Sequence, residues 1–592
     1  MNMGKREFTN EHFLYAIAFA CALVMRLVGL GKMPLSEYEA SWAIQAIHIS
    51  RGNSLTLTGQ PAYVLLTGAL FTLFKSSEAG ARFLPALVGT LVVWLPYALR
   101  ERLGKMVAVI FAFGLAFDPG LVATSRIAGG PMLALGFGVT MATAWLLNWP
   151  VTAGICGALF LMSGPSFLTG AVGVVIAGVL WSSTFKKNIT LPRDALQRAS
   201  IAAGITLLLA GTLLLRYPQG LSAAVNAIPA YFMGWISSGG APLIQVAAAL
   251  LIYQALAVIF GLMAMFRMRN WNTPILRFLA TWFLVALALA LAYPSRQVPD
   301  LIWVTLPLWG LASYELARHV RSIAREAQVI VWGQAVIILV FMSFFWLNLA
   351  SLSAMGPITL PPEWNIFQFT ELDPTSRIYV SRILVAFAVP VFATLSVWLV
   401  GSGWRLNEAL RGAVFGLLIF MGLYTFSAAW SAGHLPDRAA NELWNPSPTA
   451  GFGVLLEKTL GDLSDMNTGD RDALEVVYQV ESSSLAWVLR NKPNARYESQ
   501  LVPGEQPPII INTQTTLEPP EIAAAYRGQS LSWWVHRYWD QALPPKFTRW
   551  LLYREGPTFP EPVIVWVRTD IFPGELMTPS SEDTSNGPSE TP

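Results

Sequence analysis

The chain reads as a polytopic α-helical membrane protein with a small extracytoplasmic α/β domain at its C-terminal end. Three observations predict this class. Of 592 residues only 13% are charged and 54% are hydrophobic, with a mean hydropathy of +0.48, whereas a soluble domain carries about 25% charged residues. Apolar runs approaching the roughly 20 residues that a membrane span needs recur from residue 13 to residue 433. Beyond 434 the pattern changes to short strand-like segments separated by helical stretches.

The runs lie at 13–31, 61–75, 80–99, 106–123, 131–148, 150–164, 166–183, 199–215, 242–266, 276–293, 301–317, 328–350, 380–402 and 411–433. Basic residues then test which of them cross, because cytoplasmic loops are enriched in Lys and Arg. The clusters are Arg100/Arg102/Lys105, Lys186/Lys187/Arg193/Arg198, Arg267/Arg269, Arg318/Arg321/Arg325 and Arg405/Arg411. All of them, and the tail residues Lys5 and Arg6, fall on the inner side if every run but 61–75 crosses. That run is short and opens with Gln60-Pro61, so 36–75 reads as an outer juxtamembrane stretch. The expectation is about thirteen spans, with the N-terminus cytoplasmic and the C-terminal domain outside, in the plasma membrane. The first run follows Lys5 and Arg6 without a small-residue cleavage site, so it reads as a retained span rather than a signal peptide.

Residues 1–433 are therefore the membrane domain, with loop and juxtamembrane helices at 32–78. The outer face collects 32–78, 124–130, 216–241, 294–300, 351–379 and everything after 434. Tyr217, Tyr231, Trp235, Trp364 and Phe367 on these loops suit an interfacial aromatic belt, with substrate contact as their second reading. Residues 434–573 are expected to form the α/β domain, with strands at 474–480, 508–513 and 562–568 and helices at 450–463 and 482–491. The aromatic cluster at 533–540 reads first as its packed core and second as a sugar-stacking surface. The tail at 574–592 is rich in Ser, Thr, Pro and Glu and is expected to be disordered.

A net charge of +3 and the lack of a basic aromatic groove argue against nucleic acid. Cys21 and Cys156 both sit inside apolar runs, as packing residues rather than a disulfide. The five histidines show no ligand spacing for structural zinc.

In a chain this poor in charge, carboxylates at a membrane boundary are costly. Glu37 and Glu39, in Lys32-Met33-Pro34-Leu35-Ser36-Glu37-Tyr38-Glu39-Ala40, are thus the first site candidates. On a helix they would point about 200° apart, so that one at most faces a pocket; in an extended loop they would share a side. The bland alternative is that they favour the N-terminus of a helix starting near Ala40. Arg82, Arg126 and Arg296 stand at outer helix ends, against the positive-inside preference. They are candidates for binding phosphate, for snorkelling to headgroups, or for pairing with Glu37, Glu39 or Asp118.

These landmarks, in order, resemble the GT-C superfamily of membrane glycosyltransferases, in particular protein O-mannosyltransferases, bacterial aminoarabinose transferases and families similar to them. The acidic first loop is followed by Gln60-Pro61-Ala62-Tyr63, by Ala81-Arg82-Phe83-Leu84-Pro85-Ala86-Leu87, and by Asp118-Pro119 through Thr124-Ser125-Arg126. The likeness covers about residues 10–185 by motif. Two departures stand out. Tyr38 occupies the position of the family's loop aspartate, and Ile127-Ala128-Gly129-Gly130-Pro131 lacks the acid often found after Ser-Arg, leaving Asp118 as the obvious second carboxylate.

The resemblance implies an inverting hexosyl- or pentosyltransferase that moves a sugar from a polyprenyl-phosphate donor to an extracytoplasmic protein, lipid or glycan acceptor. It implies Glu37 as general base with Glu39 as its structural or metal-positioning partner, in either order. Arg82, Arg126 and Arg296 would take the donor phosphate, and help from a divalent cation stays open. The alternative is a non-catalytic accessory protein of glycan assembly or export. A transporter ranks last, because the halves show no repeat and the acids cluster at the outer edge rather than at the midplane.

Overall fold

A computed structural model describes residues 10–53, 57–182, 192–267, 273–320, 328–356, 369, 372–502, 504–513, 524–539 and 542–572. Lys5 and Arg6, Lys186 and Lys187, Arg269, Arg321 and Arg325, Trp364 and Phe367, and the tail 574–592 lie outside the described residues. By its contacts the chain forms two compact units. One comprises Met1–Thr449 with His536–Phe559, the other Ala450–Val535 with Pro560–Pro592. By contacts, then, 434–449 and 536–559 group with the helical unit.

Each of the fourteen apolar runs is helical over most of its length. Among the described residues five helices are long and apolar enough to cross a membrane: Glu78–Ala98, Pro274–Ala292, Gln328–Met355, Pro374–Gly403 and Leu406–His434. Two bent pairs bring the number to seven, Lys105–Phe117 with Pro119–Ser125 at 53° and Leu243–Tyr253 with Ala255–Arg267 at 86°. The expected figure of about thirteen counts shorter helices such as Met132–Leu146 and Pro150–Leu161 as spans. Those stop early because breakers interrupt the apolar runs: Asn148 and Gly164 adopt positive φ at the joints, which ends a right-handed helix.

Tight packing of the long helices follows from small residues. A Cβ on Gly412 would lie 2.5 Å from the Val331 carbonyl, and one on Gly416 2.5 Å from the Ala335 carbonyl. Glycines four apart thus let the helix Leu406–His434 close onto Gln328–Met355, where lipid supplies no hydrophobic drive of its own. The centre of the unit is aromatic, with Tyr253, Trp303, Trp309, Trp444 and Trp550 in one buried cluster.

The second unit is built on a six-stranded sheet. Its strands are β1 (Thr449–Ala450), β2 (Val476–Tyr478), β3 (Ala495–Tyr497), β4 (Ile509–Asn512), β5 (Tyr526–Arg537) and β6 (Thr558–Arg568). They run in the order β1-β5-β6-β4-β2-β3. β2 pairs in parallel with β3 and β4, while β4 pairs antiparallel with β6. Val476, Ile509, Ile511 and Val565 are buried with Leu456 and Leu460 of the helix Gly453–Thr468. Trp533 belongs to that core, and its Nε1 donates to Ser484 Oγ at 2.9 Å.

Candidate functional site

Ser36 caps the helix Glu37–Arg51 through a capping box with Glu39, so both acids lie in a first helical turn and diverge. Glu39 turns inward. Arg82 Nε reaches its Oε1 and Arg82 Nη2 its Oε2, both at 2.6 Å. The Ala128 N–H donates to Oε1 at 2.9 Å, and Ser36 N–H and Oγ donate to Oε2 at 3.0 and 3.1 Å. Burial alone would raise the Glu39 pKa, but the charge and hydrogen bonds of Arg82 outweigh it and hold the carboxyl below its ordinary value. Every lone-pair direction of Glu39 is taken up. Glu37 is half-buried and is not among the residues lining the cavity described below.

The three arginines are also committed. Arg82 donates to the carbonyls of Leu30, Met33 and Pro34 as well as to Glu39. Arg126 donates to Gly433, Arg26, Val28 and Gly29 carbonyls, tying the ends of helices Asn10–Leu27 and Leu406–His434 together. Arg296 donates to Ala241, Leu291 and Tyr293 carbonyls, bracketing one loop to its own turn. Asp118 caps the short helix Pro119–Ser125 through the Leu121 N–H at 2.6 Å and accepts from Trp309 Nε1 at 2.7 Å. It is fully buried at the 53° bend and does not join Glu37 and Glu39. Among these residues Glu39 and Arg82 form an ion pair.

The residue of the first loop that faces a cavity is Tyr38. The cavity holds about 170 Å³ and lies where 37–60, 124–131, 163–169, 231–241 and 293–300 come together. Gln60 stands beside Tyr38 and donates from Nε2 to its hydroxyl at 3.2 Å. Gln60 Oε1 is buried with no hydrogen-bond partner. Two glycines make room for this side chain. A Cβ on Gly129 (φ +83°) would lie 2.7 Å from Trp42 and 3.2 Å from Gln60 Oε1, and one on Gly164 (φ +90°) 2.7 Å from Gln60 Cγ.

Tyr231, Tyr293 and Asp300 line the same cavity. The two tyrosine rings stack at 5.1 Å, and Tyr293 OH donates to the Tyr231 carbonyl. Asp300 Oδ1 accepts from Ser166 Oγ at 2.9 Å, and that oxygen accepts from Trp303 Nε1 at 3.1 Å. Burial pushes the Asp300 pKa up to about 6, against the pull of Ser166 and the Gln297 backbone. Asp300 is the one Asp or Glu among the lining residues, and none of them is Lys, Arg or His. The starts of helices Met132–Leu146, Ser166–Ser182 and Ile302–Val320 border the space through Pro131, Ser166 and Asp300. Helix N-termini carry a partial positive charge, which biases the space.

A second cavity of about 210 Å³ shares Gln297, Pro299 and Pro446 with the first and is lined also by Gly240, Gln245 and Arg537. Arg537 donates to the carbonyls of Ala440, Glu442 and Asn445. Among the described residues no group of three or more His, Cys, Asp or Glu is placed to hold a metal ion. Asp300 was not named from the sequence, and Gln60 and Arg537 entered only within a landmark motif and the 533–540 cluster, without a site role. Asp300 had a visible signal, an acid at an outer helix end next to the noted Arg296.

No protein-family model matches the chain, and no curated protein matches it in sequence. Solved structures do. One is ArnT from Cupriavidus metallidurans bound to undecaprenyl phosphate, at TM-score 0.50 and 16% identity over 82% of this chain and 86% of that one. The same protein in the apo state matches at TM-score 0.50 and 15% identity, over 81% and 85%. The chain shares the fold of that protein, with a small C-terminal sheet domain, and it is an integral membrane protein.

Proposed function

We propose that the protein transfers a sugar from a polyprenyl-phosphate donor to an extracytoplasmic acceptor, at the cavity beneath Tyr38. The observation that carries this reading is the cavity itself. It is small, lined by hydroxyls, amides and stacked tyrosines, and bordered by three helix starts, in a fold shared with a protein that binds undecaprenyl phosphate. Its 170 Å³ falls below the roughly 300–1,000 Å³ of drug-sized sites, which suits one sugar ring rather than a whole lipid. Stacked aromatics offer faces to such a ring. Helix N-termini supply positive ends for the departing phosphate, and Arg537 in the adjoining cavity adds a cation.

In this reading Glu39 and Arg82 act by position, holding the turn that presents Tyr38, while Arg126 and Arg296 hold the neighbouring loops. Glu37 lies one residue from Tyr38 and is the control acid. The cavity opens outside the plasma membrane, with the N-terminus cytoplasmic and residues 434–573 outside.

A second reading, a non-catalytic accessory protein of glycan assembly or export, is favoured by the absence of Lys, Arg or His among the lining residues. Purified protein in lipid nanodiscs, offered a panel of polyprenyl-phosphate sugars with protein, lipid and glycan acceptors, separates the two. A transferred sugar detected by mass spectrometry is the expected result. Donor binding without product across the panel would favour the accessory role.

A further inference from the structure

We infer that Asp300 is the general base of this transfer, its carboxylate held by Ser166, which Trp303 holds in turn, at the wall of the cavity. The inference rests on the reading just proposed. Tyr38 fills the place where the first loop would present an acid, and Glu39 has no lone pair to spare. The cavity nevertheless holds one carboxylate, on a different element. Asp300 lies in the 3-10 turn Val298–Leu301, just ahead of the helix Ile302–Val320, and lines the same space as Tyr38. The chain from Trp303 Nε1 to Ser166 Oγ to Asp300 Oδ1 fixes the carboxylate's orientation, as an orienting residue does for a catalytic base.

The step balances. The acceptor's O–H proton passes to the Asp300 carboxylate as the acceptor oxygen bonds to the anomeric carbon. The bond from that carbon to the phosphate oxygen breaks, and its electron pair leaves with the polyprenyl phosphate. Asp300 then returns the proton to water. The titratable groups facing Asp300 are Tyr38 and Tyr293, whose pKa values burial pushes up, so both stay neutral near pH 7. Arg296, on the same turn, is bonded to carbonyls. A carboxyl with a pKa of about 6 is well placed to accept a proton near neutral pH.

The test compares wild type, D300N, D300E and Glu37→Gln in nanodiscs, with thermal unfolding as the check on folding. Loss of a general base costs about 10²–10⁴-fold. D300N is expected to lose about a hundredfold or more in kcat with donor KM little changed, D300E to recover part, and Glu37→Gln to stay near wild type. The wild-type rate should fall below about pH 6, and D300N should lose that acid limb.

If wild type transfers sugar and folded D300N keeps its rate within about threefold, against the expected hundredfold, the inference is overturned and the function stands. Should D300N not fold, carbodiimide labelling of wild type reads the same question. Inactivation that tracks labelling of Asp300 supports the role, and labelling without loss overturns it. If wild type transfers nothing and undecaprenyl phosphate does not protect Asp300 from labelling, the function and the inference both fail. Protection without transfer would overturn the base and keep the cavity as a lipid-phosphate site.

Discussion

Glu39 and Arg82, 4% and 2% exposed, form a charge pair that costs much to bury and more to break. Removing one partner of such a pair typically costs about 3–5 kcal/mol, because the other charge stays buried and uncompensated. Glu39→Gln is therefore expected to lower stability by about that much, read as a drop in Tm in detergent, while half-buried Glu37→Gln changes it by about 1 kcal/mol or less. Arg82→Lys should also destabilise, since one ammonium cannot reproduce a fork that serves two carboxylate oxygens and three carbonyls. The pH dependence has a definite sign. The Glu39 pKa is lowered on folding, so its contribution is complete above the unfolded value of about 4.3. It is lost as pH falls through the lower folded value, and Glu39→Gln should flatten the Tm profile there.

The neighbouring glycines make a second comparison at this scale. Gly129 and Gly130 both have positive φ, but a Cβ would strike Trp42 only at Gly129 and nothing within 4 Å at Gly130. Gly130→Ala should cost the backbone strain of about 1–2 kcal/mol. Gly129→Ala should cost more and displace Gln60 and Tyr38, seen as a larger loss of sugar-donor binding than in Gly130→Ala.

At the scale of elements, a single residue shapes the broken helix through 105–125. Asp118 ends one segment, caps the next and accepts the Trp309 indole N–H from the helix Ile302–Val320. Asp118→Ala removes a cap worth about 1 kcal/mol and strands a buried donor at about 1–3 kcal/mol. A loss of about 2–4 kcal/mol is expected in chemical unfolding, with donor binding kept by the molecules that remain folded, because Asp118 does not line the cavity. Donor binding lost in step with a stable fold would instead assign Asp118 to the site.

For the whole molecule, the return of 536–559 to the helical unit is the organising event. Trp550 is fully buried, and Arg554 lies over the rings of Tyr253 and Trp550 at 4.3 and 4.6 Å. Glu442 accepts from Tyr253 OH at 2.5 Å and Ser431 Oγ at 2.6 Å, and its carboxylate lies 3.7 Å from Arg554. A chain ended at 449 loses Trp550 and Arg554 and leaves Glu442 without its cation. Such a truncation should not yield a monodisperse peak in size-exclusion chromatography. Arg554→Ala in the full chain should lower Tm by several degrees, and a wild-type-like Tm would refute this account of the network.

Membrane character and the helical course of 13–433 were legible in the sequence, because apolar runs and their breakers act locally. The strands at 474–480, 508–513 and 562–568 were legible for the same reason; β5 was not, since only three of its twelve residues are buried and it follows no apolar run. The cost of Glu39 and Arg82 was also visible, as charges where charge is rare. Their partners were not. A capping box turned Glu39 inward, helical geometry brought Tyr38 to the cavity, and folding brought Asp300 to the same cavity from a turn far along the chain. Which face a helix presents, and which distant residue meets it, depends on packing among all the helices at once, and no stretch of sequence holds that information alone.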